Sequence, residues 1–179
     1  MFSFMVALIH NGDLWVLNTE FGPTPTWLLL EPSLECGLRS GHNTHLTCDY
    51  LYIFCGISNT HALNDVWKVN HNDHTYRAVR INTTSSSEPE PRYAAASAYL
   101  ELWGRKGSVL IYGGARNVAS SSPLVDSSQL ISQNTFWRFD LSTEKWINLS
   151  QTVPALPGYR AYAKANTFIV EGEEVMVAW

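Results

Sequence analysis

Charge is scarce in this chain. Only 16% of its 179 residues are Asp, Glu, Lys or Arg, divided into 12 basic and 16 acidic side chains. A net charge of −4 and a pI near 5.8 supply no basic field for a phosphate backbone, which argues against a nucleic-acid partner. Long apolar runs are also missing, and none approaches the ~18 residues of a membrane-spanning helix. The N-terminal Met1-Phe2-Ser3-Phe4-Met5-Val6-Ala7-Leu8-Ile9 is apolar but lacks the charged start and small-residue cleavage site of a signal peptide, so it is read as strand. Cysteine is sparse and odd in number. Cys36, Cys48 and Cys55 are unevenly spaced, which favours reduced thiols over a disulfide framework and leans toward a cytoplasmic setting. Two glycosylation sequons, Asn82-Thr83-Thr84 and Asn148-Leu149-Ser150, would be usable in a secreted parent. Catalytic signatures are absent as well. There is no Gly-x-Ser-x-Gly turn, no Gly-rich phosphate loop and no cysteine beside a base, so no catalytic residue, cofactor or metal is assigned.

What the chain has in quantity is aromatic and apolar strand signal, with 12% aromatic and 45% hydrophobic residues. A tryptophan-bearing strand followed about ten residues later by an aromatic recurs three times. The copies are Asp13-Leu14-Trp15-Val16-Leu17 then Trp27, Asp65-Val66-Trp67-Lys68-Val69 then Tyr76, and Phe136-Trp137-Arg138-Phe139-Asp140 then Trp146. The tryptophans are 52 and 70 residues apart, bracketing the ~50-residue period of a four-stranded propeller blade with one long insertion. An arginine-led segment precedes each glycine-containing strand: Arg39-Ser40-Gly41-His42 before Tyr50-Leu51-Tyr52-Ile53-Phe54-Cys55-Gly56, and Pro91-Arg92-Tyr93 before Val109-Leu110-Ile111-Tyr112-Gly113-Gly114. Strands such as Leu51 to Phe54 are apolar at every position. That pattern suits a sheet packed on both faces, with Trp and Tyr as fillers. His10-Asn11-Gly12-Asp13 and Lys106-Gly107 mark hairpin turns.

In this order the segments resemble the kelch-repeat family, whose blades show an Arg-x-x-His segment, a hydrophobic strand ending in Gly-Gly, a Trp or Tyr strand ending in Asp, and a final Trp. The chain departs from that pattern at Cys55 for the first glycine, Tyr76 for the closing Trp, and Ala95 where His42 stands in the first copy. The resemblance implies an all-β, kelch-type β-propeller fragment with two complete four-stranded blades and partial blades at both ends. Residues 1–31 are expected to hold the later strands of one partial blade, and residues 39–80 a full blade. A Ser/Pro/Glu linker at 82–91 then leads to a second full blade at 91–150, with a long inserted loop at 115–133. Residues 157–179, from Arg160 to Ala165 and Val175 to Trp179, are expected to give the early strands of another. Four to eight blades close a propeller, so the expectation is a piece of a longer protein, with self-association through open sheet edges.

The function this implies is a non-enzymatic protein–protein interaction module, a scaffold or adaptor presenting loops on a rigid ring to other proteins. The alternatives are an extracellular adhesion or receptor-type kelch segment, and part of a kelch-like propeller enzyme such as a copper oxidase or sugar isomerase. If the inserted loop binds a partner, Arg116, Leu124, Val125 and Leu130 are the side chains to test. Arg39, Arg92 and Arg160 open their copies and are expected at one rim, each paired with an acid or carbonyl to fix blade packing. His42 is expected as a buried histidine bonding to backbone in a first strand. Cys36, His42, His45 and Cys48 look like a zinc quartet on paper. In an extended segment, however, His42 and His45 point to opposite faces, and His42 and Cys48 lie ~20 Å apart at ~3.3 Å per residue.

Overall fold

A computed structural model describes residues 12–18, 24–31, 33–59, 61–72, 75–83, 87–101, 106–116, 135–153, 155, 157–158 and 160–179. Those residues form antiparallel strands and turns with no helix among them, and so no helix long and apolar enough to cross a membrane. The strands are β1 (Leu14–Asn18), β2 (Thr26–Glu31), β3 (Asn43–Leu46), β4 (Tyr50–Phe54), β5 (Ile57–Ser58), β6 (His61–Ala62), β7 (Val66–Asn70), β8 (Ala78–Arg80), β9 (Ala96–Leu100), β10 (Ser108–Tyr112), β11 (Phe136–Asp140), β12 (Lys145–Asn148), β13 (Ala165–Val170) and β14 (Glu173–Ala178). Two sheets have four strands each, in the orders β3-β4-β7-β8 and β9-β10-β11-β12. The pairs β1-β2, β5-β6 and β13-β14 form two-stranded sheets.

The period-two geometry of a strand explains why β4 is apolar throughout. Leu51 and Ile53 pack on one side with Leu14 of β1, Leu34, Val69, Tyr76 and Ala78. Tyr52 and Phe54 pack on the other side with Val109 and Ile111 of β10, Trp137 and Phe139 of β11, and Trp146 of β12. The sheets are therefore layered face to face. The seam between the two four-stranded sheets is aromatic: the Phe54 ring meets Phe139 edge-on at 5.4 Å and Trp146 edge-on at 6.0 Å. Such contacts add about 0.5–1.5 kcal/mol per pair to the area they bury. Across the same seam the Lys68 ammonium reaches Glu144 at 2.5 Å.

Gly107 turns into β10 at φ +82°, and a Cβ there would lie 2.6 Å from the Tyr99 ring. Position and chemistry thus agree with the turn expected at Lys106-Gly107.

Several expectations meet differences. The strand expected across Arg160 to Ala165 begins only at Ala165, because Tyr162 adopts a left-handed conformation, φ 59°, and its amide bonds to a neighbouring segment. In the linker Asn82, Ser87, Glu88, Glu90 and Pro91 are exposed, and Pro89 is buried. Trp27, expected as a packed filler, stands 46% exposed on β2. The strand expected at Phe4 to His10 and most of the inserted loop, including Leu124, Val125 and Leu130, lie outside the described residues.

Candidate binding groove

The arginine-led segments are built alike. Ser40 and Ile57 exchange two backbone hydrogen bonds, at 3.0 and 2.8 Å, as do Tyr93 and Ala115, at 2.9 and 2.8 Å. Two residues after each arginine the backbone turns left-handed: φ is 58° at Gly41, 52° at Ala94 and 59° at Tyr162. That turn aims successive peptide groups at one another. Ala94 N–H donates to the Gly41 carbonyl at 2.7 Å, and Tyr162 N–H donates to the Ala94 carbonyl at 2.8 Å. A second relay runs through the glycines that follow β4 and β10, Gly56 and Gly114. Gly56 N–H donates to the Arg92 carbonyl at 2.9 Å and Gly114 N–H to the Arg160 carbonyl at 2.7 Å. For a left-handed Ala or Tyr the cost is about 1–2 kcal/mol each, offset by satisfied backbone groups.

The relays draw the starts of β3, β9 and β13 side by side and leave an open groove of about 340 Å³ between them. Its floor is small, with Gly41, Ala94, Ala95 and Ala163, while His42, Asn43, Ser97, Tyr162 and Lys164 supply its chemistry. Side chains bind the neighbouring strands beneath it. Asn43 Nδ2 donates to the Ala95 carbonyl at 3.0 Å, and Thr167 Oγ1 to the Tyr99 carbonyl at 3.0 Å. Tyr162 stands 65% exposed at the rim, edge-on to Tyr93 at 6.3 Å.

His45 lies one strand turn below, with Nε2 2.8 Å from Ser97 Oγ and its ring edge-on to Phe54 at 6.2 Å. Burial pushes this imidazole down to about 4, so the ring is neutral in the folded chain at neutral pH. The sign of the pH effect follows. A depressed folded pKa stabilises the fold above the unfolded value of about 6.5, and that stabilisation is lost as pH falls from about 6.5 toward 4. The loss expected is about 2–3 kcal/mol. Urea midpoints measured at pH 7.5 and pH 5 should show it in the wild-type chain, and His45→Gln should largely flatten the difference.

The arginines are not equivalent. Arg39 is buried and bidentate to Asp65, with Nη1 to Oδ1 at 2.8 Å and Nη2 to Oδ2 at 3.0 Å; it also donates to the Cys55 carbonyl at 3.0 Å and the Cys36 carbonyl at 2.5 Å. Burial alone would raise the Asp65 carboxyl, but the hydrogen bonds from Arg39 and Trp67 outweigh it and hold the group below the usual carboxylate range. Arg92 is fully buried and donates to the Gly113 and Glu90 carbonyls, at 2.9 and 3.1 Å. Arg160 is exposed, and its backbone carbonyl is what enters the relay. His42 is half-buried just before β3 rather than buried within a strand, and His45, inside β3, is half-buried as well. Arg116 pairs with Glu90 at 3.2 Å, both more than half exposed, a pairing worth little in water. The two border a smaller groove of about 280 Å³ with His61, Ala62 and Pro91.

Sequence reasoning passed over Tyr162, Lys164 and Ser97. Aligning the three copies on their arginines would have exposed Tyr162, because Gly41 and Ala94 occupy the same place.

These features define an all-β protein of layered antiparallel sheets with a groove along the starts of three first strands. No family model matches the chain, and no curated protein matches it. Among 93 solved chains that match in structure is the structure of YjhT, at 15% identity and a TM-score of 0.57, over 86% of this chain and 48% of that one. At such identity the likeness is one of fold alone. The chain spans about half the length of the YjhT chain.

Proposed function

We propose that the chain is a segment of a kelch-type propeller serving as a non-enzymatic protein–protein interaction module, with the partner docking in the groove beside Tyr162 and Lys164. The observation that carries this reading is the construction of the groove. Three equivalent segments, locked by peptide-to-peptide hydrogen bonds, form a small-residue floor, while an exposed aromatic and a lysine stand at its edge. Rigid backbone lowers the entropy cost of association. Exposed Tyr is a residue type enriched among interface hot spots, and an aromatic beside a polar rim is the anatomy of a protein contact. The Arg116 groove at the foot of the inserted loop is the competing surface on the same molecule.

Panning a displayed peptide library on the purified chain tests this. Peptides that bind the wild type should lose at least tenfold in affinity, about 1.4 kcal/mol, with Lys164→Glu or Tyr162→Ala and hold with Arg116→Glu. Peptides indifferent to both groove variants would sink the assignment of this groove, and sensitivity to Arg116→Glu alone would move the site to the loop.

A further inference from the structure

The two four-stranded sheets carry the same buried arginine in two different electrostatic settings. In the first, Asp65 collects three donors: Arg39 Nη1 at 2.8 Å, Arg39 Nη2 at 3.0 Å and Trp67 Nε1 at 2.6 Å. The acid–Trp half of this arrangement recurs in β1, where Trp15 Nε1 donates to Asp13 at 2.8 Å. In the second sheet the scaffold is kept. Arg92 Nη1 donates to the Gly113 carbonyl at 2.9 Å, just as Arg39 Nη1 donates to the Cys55 carbonyl at 3.0 Å. Registers fix the rest of the correspondence: Phe54 pairs with Val66, and Tyr112 pairs with Phe136. Trp137 therefore stands where Trp67 does, and Thr135 where Asp65 does.

The acid is missing and its donors remain. Arg92 Nη2 and Trp137 Nε1 are both buried without a hydrogen-bond partner, and Arg92 is 0% exposed. Around the guanidinium, Glu90 is engaged with Arg116 at 3.2 Å. Burial pushes the Cys55 thiol up to about 12, so it is neutral. A buried guanidinium with no carboxylate hydrogen-bonded to it among the described residues carries a desolvation cost of several kcal/mol, and each orphaned donor adds its own. The same burial depresses Arg92 below the ordinary arginine value; an arginine side chain stays charged in proteins.

We propose that Arg92 and Trp137 form a buried site for a small monovalent anion of the halide class, chloride in practice, which takes the place that the Asp65 carboxylate fills in the first sheet. A halide offers a full negative charge and accepts from several donors at once, matching a guanidinium N–H and an indole N–H whose counterparts in the first sheet, Arg39 Nη2 and Trp67 Nε1, both donate to Asp65 Oδ2.

Thermal unfolding of the full chain in sodium chloride and in sodium gluconate, at matched ionic strength, tests the site. Chloride should raise the midpoint of the wild-type chain in a saturable way, by a few degrees, whereas gluconate should not. Thr135→Asp installs the missing carboxylate, so it should melt higher than wild type in gluconate and lose its chloride response. Trp137→Phe keeps the packing and deletes one donor, and should weaken the response several-fold, which keeps the test decisive if Thr135→Asp folds poorly. Superimposable wild-type curves in the two salts would overturn the proposal, as would a chloride response that Trp137→Phe leaves unchanged.

Discussion

Asp65→Ala is expected to destabilise the chain by about 3–5 kcal/mol, the usual cost of stranding one partner of a buried ion pair. Against a total stability of about 5–15 kcal/mol that is enough to leave much of the protein unfolded at physiological temperature. The reason is what Asp65 holds. Its two oxygens take both Nη atoms of Arg39 and the Trp67 indole, and Arg39 in turn ties the Cys36 and Cys55 carbonyls. Removing the carboxylate leaves a guanidinium buried among carbonyls and apolar atoms. Asp65→Asn should cost a similar amount, because the charge rather than the shape is lost. Adding Arg39→Met to Asp65→Ala should recover part of the loss, since the stranded charge goes with it. Denaturant titrations of the single and double variants measure this. A double variant less stable than Asp65→Ala would mean that Arg39 acts mainly through its carbonyl contacts.

Gly113→Cys is expected to cost about 2–4 kcal/mol, although Cys55 occupies the same place in the first sheet without disruption. Both positions are left-handed, φ 59° at Cys55 and 68° at Gly113, so strain alone does not separate them. The surroundings do. A Cβ on Gly113 would lie 2.5 Å from the backbone oxygen of Arg160, the atom that accepts from Gly114 N–H at 2.7 Å. Backbone would have to move, and the relay to Tyr162 with it. Cys55, by contrast, is completely buried in the aromatic seam. Cys55→Gly should change stability by less than about 1 kcal/mol, because lost burial and relieved strain nearly cancel. Urea midpoints for the two exchanges would show the asymmetry, and equal effects would refute the close-approach explanation.

The strands legible in the sequence are those whose hydrophobic pattern is local. Trp15, Trp67 and Trp137 fall in β1, β7 and β11, and Tyr50 to Phe54 and Val109 to Tyr112 fall in β4 and β10. Apolar residues at every position announced packing on both faces, and Leu51 and Ile53 do face one cluster while Tyr52 and Phe54 face the other. The groove was illegible for a physical reason. It is made by peptide groups, and a left-handed Tyr162 or Ala94 leaves no mark in a propensity pattern, since either residue usually avoids that conformation. The same blindness put a strand over Arg160 to Ala165. Closing aromatics were legible as a repeat but not in their burial: Trp146 is buried, whereas Trp27 is exposed. Nor does spacing reveal that Arg39 is paired with a carboxylate while Arg92, among the described residues, donates only to carbonyls. That difference rests on one residue 43 positions beyond Arg92, Thr135.

Residue-resolved hydrogen exchange on the intact chain tests the central claim most directly, that the arginine-led segments are joined into one backbone relay across the sheets. The amides of Ala94, Tyr162, Gly56 and Gly114 sit outside the named strands, yet each donates to a carbonyl of another segment at 2.7–2.9 Å. The account predicts that they exchange as slowly as the central amides of β4 and β10. Exchange of these four at the rate of free loop amides, with β4 and β10 still protected, would contradict it.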